Sequence, residues 1–312
     1  MKLGIIGLGK MGANLALQAL EKNIHVVGKA RSKKPELEEK GIKIVENYID
    51  FVSFLDKPRI IYLSLPAGYT VDSVLQEVCQ FLENGDVIMD GGNSFYLDSI
   101  KREKELWQKG FYFLDCGTSG GLQGARHGGC FMIGGRDIGV KIVEPILKKL
   151  ALNEDAYIHT GGPGSGHFVK LVHNGIEFGM LQAIGEGLAL LRQSNFELDL
   201  AQIFKNWSNG SVIRSWLVEL MEQGLREGPN FQKIESYIED TGEVDWLIQE
   251  AINKEIPIPV ISQSVMELFK SRTKESDTYK AIALMRHGFG GHPFGKDEYI
   301  SKERKTSRIY KI

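Results

Sequence analysis

Four polar side chains recur at helical spacing within an otherwise apolar segment, GHFVKLVHNGIEFG, residues 166–179. At about 100° per residue they fall within an arc of roughly 100°, the width of one helix stripe: Lys170, His173, Asn174 and Glu177. A lysine held neutral acts as a base near pH 7, and a shielded glutamate stays protonated as an acid. The spacing therefore predicts that the four side chains form one cluster on a single helix face, with a candidate base and a candidate acid among them.

The remaining circumference of this helix is apolar, carrying Phe168, Val169, Leu171, Val172, Ile176, Phe178 and Met180. This distribution predicts a helix buried on nearly every side, rather than a surface helix whose polar stripe is simply solvated. A buried ammonium or carboxylate is costly unless it is paired, hydrogen-bonded or facing a wet cavity. We therefore expect the stripe to line a pocket.

The composition limits the classes of protein to consider. The 312 residues are 42% hydrophobic, enough for two domains, and the 38 basic and 40 acidic residues give no electrostatic case for a nucleic-acid or membrane partner. Three cysteines without a C-x-x-C pair indicate neither a disulfide framework nor a zinc site and fit a reducing cytoplasm. The opening KLGIIGLG predicts a strand rather than a leader, so we expect a soluble, unprocessed cytoplasmic protein without a metal.

The periodicity of the chain changes near residue 165. Before it, short β-type runs such as RIIYLSL, DVIMDGG and FYFLDCG alternate with helical patterns, as in a mostly parallel doubly wound α/β sheet. After it come only helical patterns, beginning with one helix of about 28 residues. The segment TGGPGSG, residues 160–166, separates the two patterns. We expect a Rossmann-type domain over 1–165 and an all-α substrate and oligomerisation domain over 166–312.

A glycine-rich turn follows the first predicted strand, with the sequence Gly7, Leu8, Gly9, Lys10, Met11 and Gly12. The pattern G-x-G-x-x-G between a strand and a helix is the fingerprint of a dinucleotide-binding βα turn. The first glycine permits the tight turn, the second lets the pyrophosphate approach the backbone, and the third allows close packing of helix on strand. The motif predicts a bound NAD or NADP.

The end of the second predicted strand indicates which dinucleotide is bound. An acid expected there for the ribose hydroxyl of NAD is absent, and the sequence is GKARSKK, residues 28–34. Arg31 and Ser32 offer a charge and hydrogen bonds to a 2′-phosphate, whereas Lys33 and Lys34 are consistent with solvated loop residues. The segment favours NADP, with NAD as the alternative.

Three further strand ends carry SLPAG, DGGNS and GTSGG. Ligands of such sheets bind outside the carboxyl ends of the strands. Asn93 and Ser119 are therefore candidate site residues, and Gly120 and Gly121 offer backbone N–H groups to an anion. Turn chemistry alone is an equally good explanation of the glycines.

Taken together, DGGNS, GTSGG, GSGHFVKLVHNGIE and RHGFGGH resemble the decarboxylating 6-phosphogluconate dehydrogenase family in its shorter bacterial form, from residue 1 to about residue 295. The K-x-x-H-N-x-x-E helix is specific to that family, whereas the glycine fingerprint and the lysine position are shared with the wider β-hydroxyacid dehydrogenase superfamily. The resemblance implies NADP-dependent conversion of 6-phosphogluconate to ribulose 5-phosphate and CO2. It also implies a homo-oligomer, a dimer or tetramer.

The resemblance also implies a role for each site residue. Lys170 matches the base that deprotonates the 3-hydroxyl as hydride leaves C3, and Glu177 matches the acid that protonates C1 of the enediol. The other matches are His173 and Asn174 at the reacting hydroxyl, Ser119, Gly120 and Gly121 at the substrate carboxylate, Asn93 between nicotinamide and substrate, and a partner subunit's Arg286 and His292 at the phosphate.

Three residues depart from the family pattern, all at positions expected to contact the phosphate. Phe178 replaces a tyrosine, Asp245 a lysine or arginine, and Leu268 an arginine. Each lost charge-assisted hydrogen bond removes about 1.5 to 3 kcal/mol. The substrate is thus 6-phosphogluconate held differently, for example through Arg272, or a sugar acid with a less charged far end.

Two other functions fit parts of the pattern. A non-decarboxylating 3-hydroxyacid dehydrogenase would need Lys170 but not Glu177, and CO2 release distinguishes it. An NADP-binding sensor without turnover would bind NADPH tightly and show no substrate-dependent reduction, but such a protein has little use for an acid and a base on one buried stripe.

Overall fold

The computed structural model describes residues 1–307, which form two compact units. The first unit, Met1–Leu171, contains one eight-stranded sheet with helices between its strands. Its strands are β1 (Lys2–Ile6), β2 (His25–Lys29), β3 (Lys43–Val45), β4 (Ile60–Leu63), β5 (Val87–Asp90), β6 (Tyr112–Ser119), β7 (Cys130–Gly134) and β8 (Tyr157–Gly161). Its helices are α1 (Lys10–Glu21), α2 (Pro35–Glu38), α3 (Tyr48–Ser53), α4 (Tyr69–Val78), α5 (Tyr96–Trp107), α6 (Gly121–His127) and α7 (Asp137–Leu150).

The strands lie in the order β3-β2-β1-β4-β5-β6-β7-β8. All neighbouring pairs are parallel except β6 and β7, which are antiparallel. The order reverses between β1 and β4, the switch point beside which a doubly wound sheet binds its ligand. The carboxyl ends of β1, β4, β5 and β6 therefore define the edge where the glycine turn and the polar strand-end segments lie.

The sheet is buried on both faces because successive strand residues point to opposite sides. In β1, Leu3 and Ile5 pack in one apolar cluster with residues of α1 and α7, whereas Ile6 belongs to a second cluster with residues of α3 and α4. In β5, Met89 belongs to the first cluster and Ile88 to the second. This double burial explains why the strands are nearly continuous apolar runs.

The second unit begins at Val172 and is helical throughout the described residues. Its helices are the later part of α8 (Ser165–Arg192), then α9 (Leu200–Ser208), α10 (Trp216–Glu227), α11 (Glu243–Asn253), α12 (Pro259–Ser271), α13 (Asp277–Gly290) and α14 (Glu298–Ser307). Nine consecutive residues of α13, Thr278 to Arg286, are buried, so this helix forms the centre of the unit.

The predicted fold class is confirmed: a mostly parallel α/β sheet is followed by helices alone. Helix α8 has 28 residues, as its apolar pattern predicts. Sequence analysis missed β3, which has only three residues, and β8, whose residues are partly exposed. Among residues 1–307, no helix combines the length and apolar character needed to cross a lipid bilayer.

The prediction that α8 is buried on nearly every side is wrong. Val169, Ile176 and Met180 are 39%, 53% and 39% exposed. Their spacing of seven and four residues places them along one line of the helix, beside the polar stripe. An apolar pattern around the whole circumference does not distinguish a face packed within the chain from one that the chain leaves exposed.

Candidate active site

The glycine turn between β1 and α1 has the geometry of a dinucleotide-binding loop. Gly7 has φ of +97°, and a Cβ there would lie 2.3 Å from the Ser64 carbonyl oxygen. A Cβ on Gly12 would lie 2.0 Å from the Gly7 carbonyl oxygen, whereas one on Gly9 would meet no atom within 4 Å. The outer two glycines are thus required by backbone contacts, and Gly9 keeps the space in front of the turn open.

The N-terminus of α1 fits a pyrophosphate. Gly9 is the residue preceding the helix, no side chain caps it, and the first turn contains no acid. The first N–H groups of a helix are unsatisfied, and its dipole favours an anion. Because this end carries no competing carboxylate, the residues present fit a dinucleotide.

The end of β2 presents basic residues. Arg31 and Ser32 follow the strand and are exposed. The Lys29 ammonium lies 4.9 Å from the centre of the Tyr48 ring. Burial raises the pKa of Tyr48, and the positive charge of Arg31 opposes that shift. The strand end is therefore an electropositive surface with an aromatic wall, which suits a nucleotide carrying a 2′-phosphate.

The neighbouring strand ends place the expected substrate residues in the same unit. Asn93 follows β5 and is exposed, and Ser119 is the last residue of β6. Gly120 and Gly121 have φ of +115° and +57°, respectively. Both glycines adopt backbone conformations that side chains disfavour, so the turn requires them whether or not it binds an anion.

Helix α8 begins against the sheet and is held there through its backbone. The Asp115 carboxylate, 1% exposed on β6, accepts hydrogen bonds from the N–H groups of Gly164 (2.7 Å) and His167 (2.9 Å). A Cβ on Gly166 would lie 2.5 Å from the carbonyl oxygens of both Asp115 and Met132. The carboxylate thus stabilises the helix N-terminus, and the missing side chain permits the close approach.

Lys170 lies one turn further along and is 7% exposed. A Cβ on Gly117 of β6 would lie 2.6 Å from the Lys170 Cβ, so only glycine leaves space for the lysine at this point of the strand. A lysine buried to this degree is costly unless its ammonium is paired or hydrogen-bonded.

The remaining members of the stripe lie on the following two turns of α8. Asn174 is 9% exposed, while the side chains of His173 and Glu177 are 39% and 21% exposed. His173 Nδ1 lies 3.3 Å from Asn174 Oδ1 and 3.9 Å from Glu177 Oε2. Both oxygens attract a ring proton on Nδ1, so the three side chains form one polar cluster beside Lys170 on the helix face.

Arg286 of α13 is buried within the second unit. It is 5% exposed, donates from Nη2 to the Glu239 carbonyl oxygen at 2.9 Å, and its Cζ lies 5.5 Å from the centre of the Phe178 ring. A cavity of about 10 Å³, the size of one water, is lined by Arg286, Phe178 and Leu268 among others. His292 follows α13 and is partly exposed, with its ring against Phe289.

Arg272 and Asp245 also have defined settings. Arg272 donates from Nη2 to Asp240 Oδ1 at 2.6 Å. Asp245 lies in the first turn of α11, where the helix dipole favours a carboxylate. The residue that replaces a family cation is thus stabilised by its own helix.

The residues that fix the start of α8 were not identified from sequence. They are three buried residues: the Ser99 hydroxyl is hydrogen-bonded to the His167 ring, and the Asp115 carboxylate accepts the His167 N–H. These two bonds join residues 68 and 52 positions apart in the chain, and contacts so distant in sequence leave no periodic pattern. The available indication was an aspartate within a strand-like apolar run, FLDCG.

Two family models cover almost the whole chain. Residues 2–161 match the NAD binding domain of 6-phosphogluconate dehydrogenase, and residues 166–307 match the C-terminal domain of 6-phosphogluconate dehydrogenase. The chain belongs to the 6-phosphogluconate dehydrogenase family. It is accordingly an oxidoreductase with a nicotinamide-dinucleotide domain.

Relatives of similar length exist in this family. A putative 6-phosphogluconate dehydrogenase of Bacillus subtilis is 42% identical over 94% of this chain and 98% of its own. An NAD(+)-dependent, decarboxylating 6-phosphogluconate dehydrogenase of Haloferax volcanii is 36% identical over 96% of this chain and its full length. The decarboxylating enzyme of Escherichia coli is 34% identical, but this chain covers 70% of it.

Solved structures support the same assignment. Plasmodium falciparum 6-phosphogluconate dehydrogenase, studied without ligand, with NADP+ and with 6-phosphogluconate, matches with a TM-score of 0.80 at 29% identity. The match covers 87% of this chain but only 62% of the Plasmodium chain, so this protein spans less than two thirds of that enzyme. A 3-hydroxyisobutyrate dehydrogenase of Salmonella typhimurium, 19% identical with a TM-score of 0.71, shares the fold.

Proposed function

We propose that the protein catalyses the NADP-dependent oxidative decarboxylation of 6-phosphogluconate to ribulose 5-phosphate and CO2. The observation that carries the proposal is the polar stripe of α8, in which a 7% exposed lysine shares one helix face with Asn174, His173 and Glu177. Two relatives of this chain's length bear the name 6-phosphogluconate dehydrogenase, one as putative and the other as NAD(+)-dependent and decarboxylating. A buried lysine and a shielded carboxyl on one stripe have the residue types that acid–base catalysis requires.

In the first step, neutral Lys170 accepts the proton of the substrate 3-hydroxyl while C3 loses a hydride. NADP, when bound at the glycine turn, supplies the hydride acceptor. His173 and Asn174 hold the reacting hydroxyl by hydrogen bonds, which orients its proton toward the lysine. Oxidation at C3 produces a β-keto acid, in which a carbonyl lies two bonds from the carboxylate.

In the second step, the bond between C1 and C2 breaks and CO2 leaves, with the electron pair passing to the C3 carbonyl. Lys170 returns its proton to that oxygen, which gives the enediol. Glu177 then protonates the carbon that carried the carboxylate while the hydroxyl on the former C3 gives its proton back to Lys170, and the product is the keto sugar. One base and one acid thus suffice, which accounts for the two titratable groups on one helix face.

The strand-end residues orient the other end of the substrate. We assign Ser119 and the N–H groups of Gly120 and Gly121 to the substrate carboxylate, and Asn93 to the junction with the nicotinamide. Arg286 and His292, supplied by a partner subunit, are assigned to the phosphate. The uncapped α1 helix supports the pyrophosphate site, and Arg31 and Ser32 support NADP over NAD.

A second candidate substrate is an unphosphorylated sugar acid. Its support is that Phe178 and Leu268 are apolar where the family resemblance implies a tyrosine and an arginine at the phosphate, and that the Arg286 guanidinium already donates to the Glu239 carbonyl oxygen. A dianion placed beside these groups gains fewer charge-assisted hydrogen bonds than in a cation-rich site. The two substrates share the catalytic stripe and differ only at the far end.

We further propose a homo-oligomer. The line formed by Val169, Ile176 and Met180 is exposed on α8, and Val260 and Met266 of α12 are 69% and 48% exposed. Apolar side chains grouped on helices in this way are typical of surfaces that pack against another copy. Light scattering on the purified protein tests this, since a monomer at micromolar concentration would contradict it.

The deciding experiment follows NADPH, NADH and CO2 with 6-phosphogluconate and gluconate in parallel. We expect NADPH and CO2 in a 1:1 ratio with 6-phosphogluconate, and a fall in kcat of about 100- to 10 000-fold in Lys170→Met and Glu177→Gln. Equal kcat/KM for the two acids would exclude a productive phosphate contact. Reduction without CO2 would indicate a non-decarboxylating dehydrogenase, and no reduction with any sugar acid would refute the proposal.

A further inference from the structure

His167 connects the first turn of α8 to two other elements of the first unit. Its ring is buried, with 2% of the residue exposed. Nδ1 lies 2.8 Å from Ser99 Oγ on α5, and Nε2 lies 3.0 Å from the main-chain oxygen of Asp90 at the end of β5. A carbonyl oxygen only accepts, so Nε2 carries a proton, and Nδ1 forms the hydrogen bond with the Ser99 hydroxyl. Both ring nitrogens are thus engaged within the first unit.

Asp90 also shapes the turn that carries Asn93. Its carboxylate accepts hydrogen bonds from Ser94 Oγ at 2.6 Å and from the Gly92 N–H at 3.1 Å. The residue is 0% exposed, so neither its main chain nor its side chain has water as an alternative partner. Asp90 therefore holds the Asn93 turn with its side chain and His167 with its main chain.

The other restraints on this part of α8 come from β6. The Asp115 carboxylate accepts the His167 N–H at 2.9 Å, and Gly117 lies against Lys170. These contacts hold the helix to β6, while the His167 ring joins the same turn to β5 and α5 by hydrogen bonds, and the Phe168 ring packs edge-to-face against Tyr96 of α5 at 5.2 Å between ring centres. Lys170 is three residues after His167 and is its neighbour on the helix surface, so the contacts of the ring restrain the turn that carries the lysine.

We propose that His167 is a positioning residue that sets Lys170 relative to the Asn93 turn. Both ring nitrogens are engaged within the protein, which leaves none for the substrate. The inference rests on the proposed function, since it takes Lys170 as the base. A base displaced by about 1 Å costs on the order of 100-fold in rate, because near-attack geometry is lost.

Three variants remove the ring's contacts one at a time. In His167→Gln the side-chain amide takes the place of Nε2, so the contact with Asp90 is kept and the contact with Ser99 is lost. In His167→Asn the amide takes the place of Nδ1, so the contact with Ser99 is kept and the contact with Asp90 is lost. Ser99→Ala removes the contact between Ser99 and His167 by deleting the serine hydroxyl. We expect each to lower kcat by roughly 10- to 100-fold, with the KM for 6-phosphogluconate and the Kd for NADP within about twofold of wild type.

The double variants sharpen the test. Because His167→Gln has already lost the Ser99 contact, adding Ser99→Ala should change kcat by less than about twofold. Adding Ser99→Ala to His167→Asn removes the remaining contact and should lower kcat by a further tenfold or so. An additive loss of kcat when Ser99→Ala is added to His167→Gln would overturn the inference, as would wild-type kcat in the single variants.

Ser208→Ala is the matched control. Ser208 Oγ donates to the carbonyl of Phe204 four residues earlier at 2.9 Å, as Ser99 Oγ does to Phe95 at 3.3 Å. It therefore loses the same local hydrogen bond without touching His167, and we expect kcat to stay at the wild-type value. A similar kcat loss in this control would show that general destabilisation explains the Ser99→Ala result.

Amide hydrogen exchange separates this inference from the proposed substrate. In His167→Gln we expect the amides of residues 165–171 to exchange at least tenfold faster than in wild type, with β1 unchanged. Wild-type protein that is inactive on 6-phosphogluconate would refute the proposed function alone. Unchanged exchange at 165–171 would refute the role of His167 whatever the substrate is.

Discussion

Arg272 Nη2 donates to Asp240 Oδ1 at 2.6 Å, and the Asp240 side chain is only 4% exposed. The guanidinium therefore neutralises a carboxylate that water does not reach. Asp240 Oδ2 in turn accepts the N–H of Gly242, the residue that precedes α11. The arginine that sequence analysis offers as a replacement phosphate ligand is thus part of the structure that begins α11.

We predict that Arg272→Ala affects stability and not substrate binding. Removing the guanidinium leaves Asp240 buried without its cation, which should lower the free energy of unfolding by about 1 to 3 kcal/mol, since Arg272 is partly exposed. Urea denaturation measures the loss, and the KM for 6-phosphogluconate should stay within about twofold. A large rise in KM at unchanged stability would instead make Arg272 a phosphate ligand.

Gly9→Ala should weaken cofactor binding while the protein still folds. A Cβ at Gly9 meets no protein atom within 4 Å, so it enters the space left for the pyrophosphate. We expect the Kd for NADP to rise at least tenfold, measured by fluorescence titration. Gly187→Ala on α8 is the control: its Cβ is equally open, and alanine should add about 0.5 to 1 kcal/mol of stability with no change in Kd.

Arg31→Ala should reduce the preference for NADP over NAD. Loss of one charge-assisted hydrogen bond to the 2′-phosphate costs about 1.5 to 3 kcal/mol, or roughly 10- to 150-fold in the Kd for NADP. The Kd for NAD should change by less than about threefold. Lys40→Ala, outside the end of β2, controls for the general loss of positive charge, and equal losses for both cofactors in Arg31→Ala would contradict the assignment.

Tyr279 and Glu267 should give stability a dependence on pH at both extremes. Tyr279 Oη donates to Glu267 Oε2 at 2.5 Å. That bond lowers the pKa of Glu267, whereas burial, followed by the same bond, raises the pKa of Tyr279. The Glu267 contribution is therefore present at neutral pH and lost as pH falls below about 4.5, and the Tyr279 contribution is lost as pH rises above about 10.

The variant Tyr279→Phe tests the dependence of stability on alkaline pH. In Tyr279→Phe the free energy of unfolding should fall less steeply above about pH 10 than in wild type. The variant lacks the phenol that keeps its proton in the folded protein and loses it in the unfolded chain. Tyr299, 67% exposed, provides the control variant Tyr299→Phe, which should leave the curve unchanged. Thermal unfolding of wild type and the two variants from pH 4 to 11 measures how stability depends on pH. The same dependence in all three proteins would rule out a contribution of Tyr279.

The elements that position the site were predictable where their signals are local. The turn at Gly7 to Gly12 and the 28-residue α8 both follow from patterns within one segment. The contacts of His167 with Ser99 and Asp90 join positions 68 and 77 residues apart, and only the folded sheet brings them together. The exposure of Ile176 was also not predictable, because the sequence does not show whether an apolar residue packs within its own chain or stays on the surface.

The exposed line of Val169, Ile176 and Met180 lies beside the polar stripe on the same helix. If a second copy covers it, dilution removes that cover and wets the helix face next to Lys170. Turnover per subunit would then fall as the enzyme is diluted in the assay, with a lag on transfer from a concentrated stock. Catalytic output would in this way depend on how much of the protein a cell holds, and not only on how much substrate reaches it.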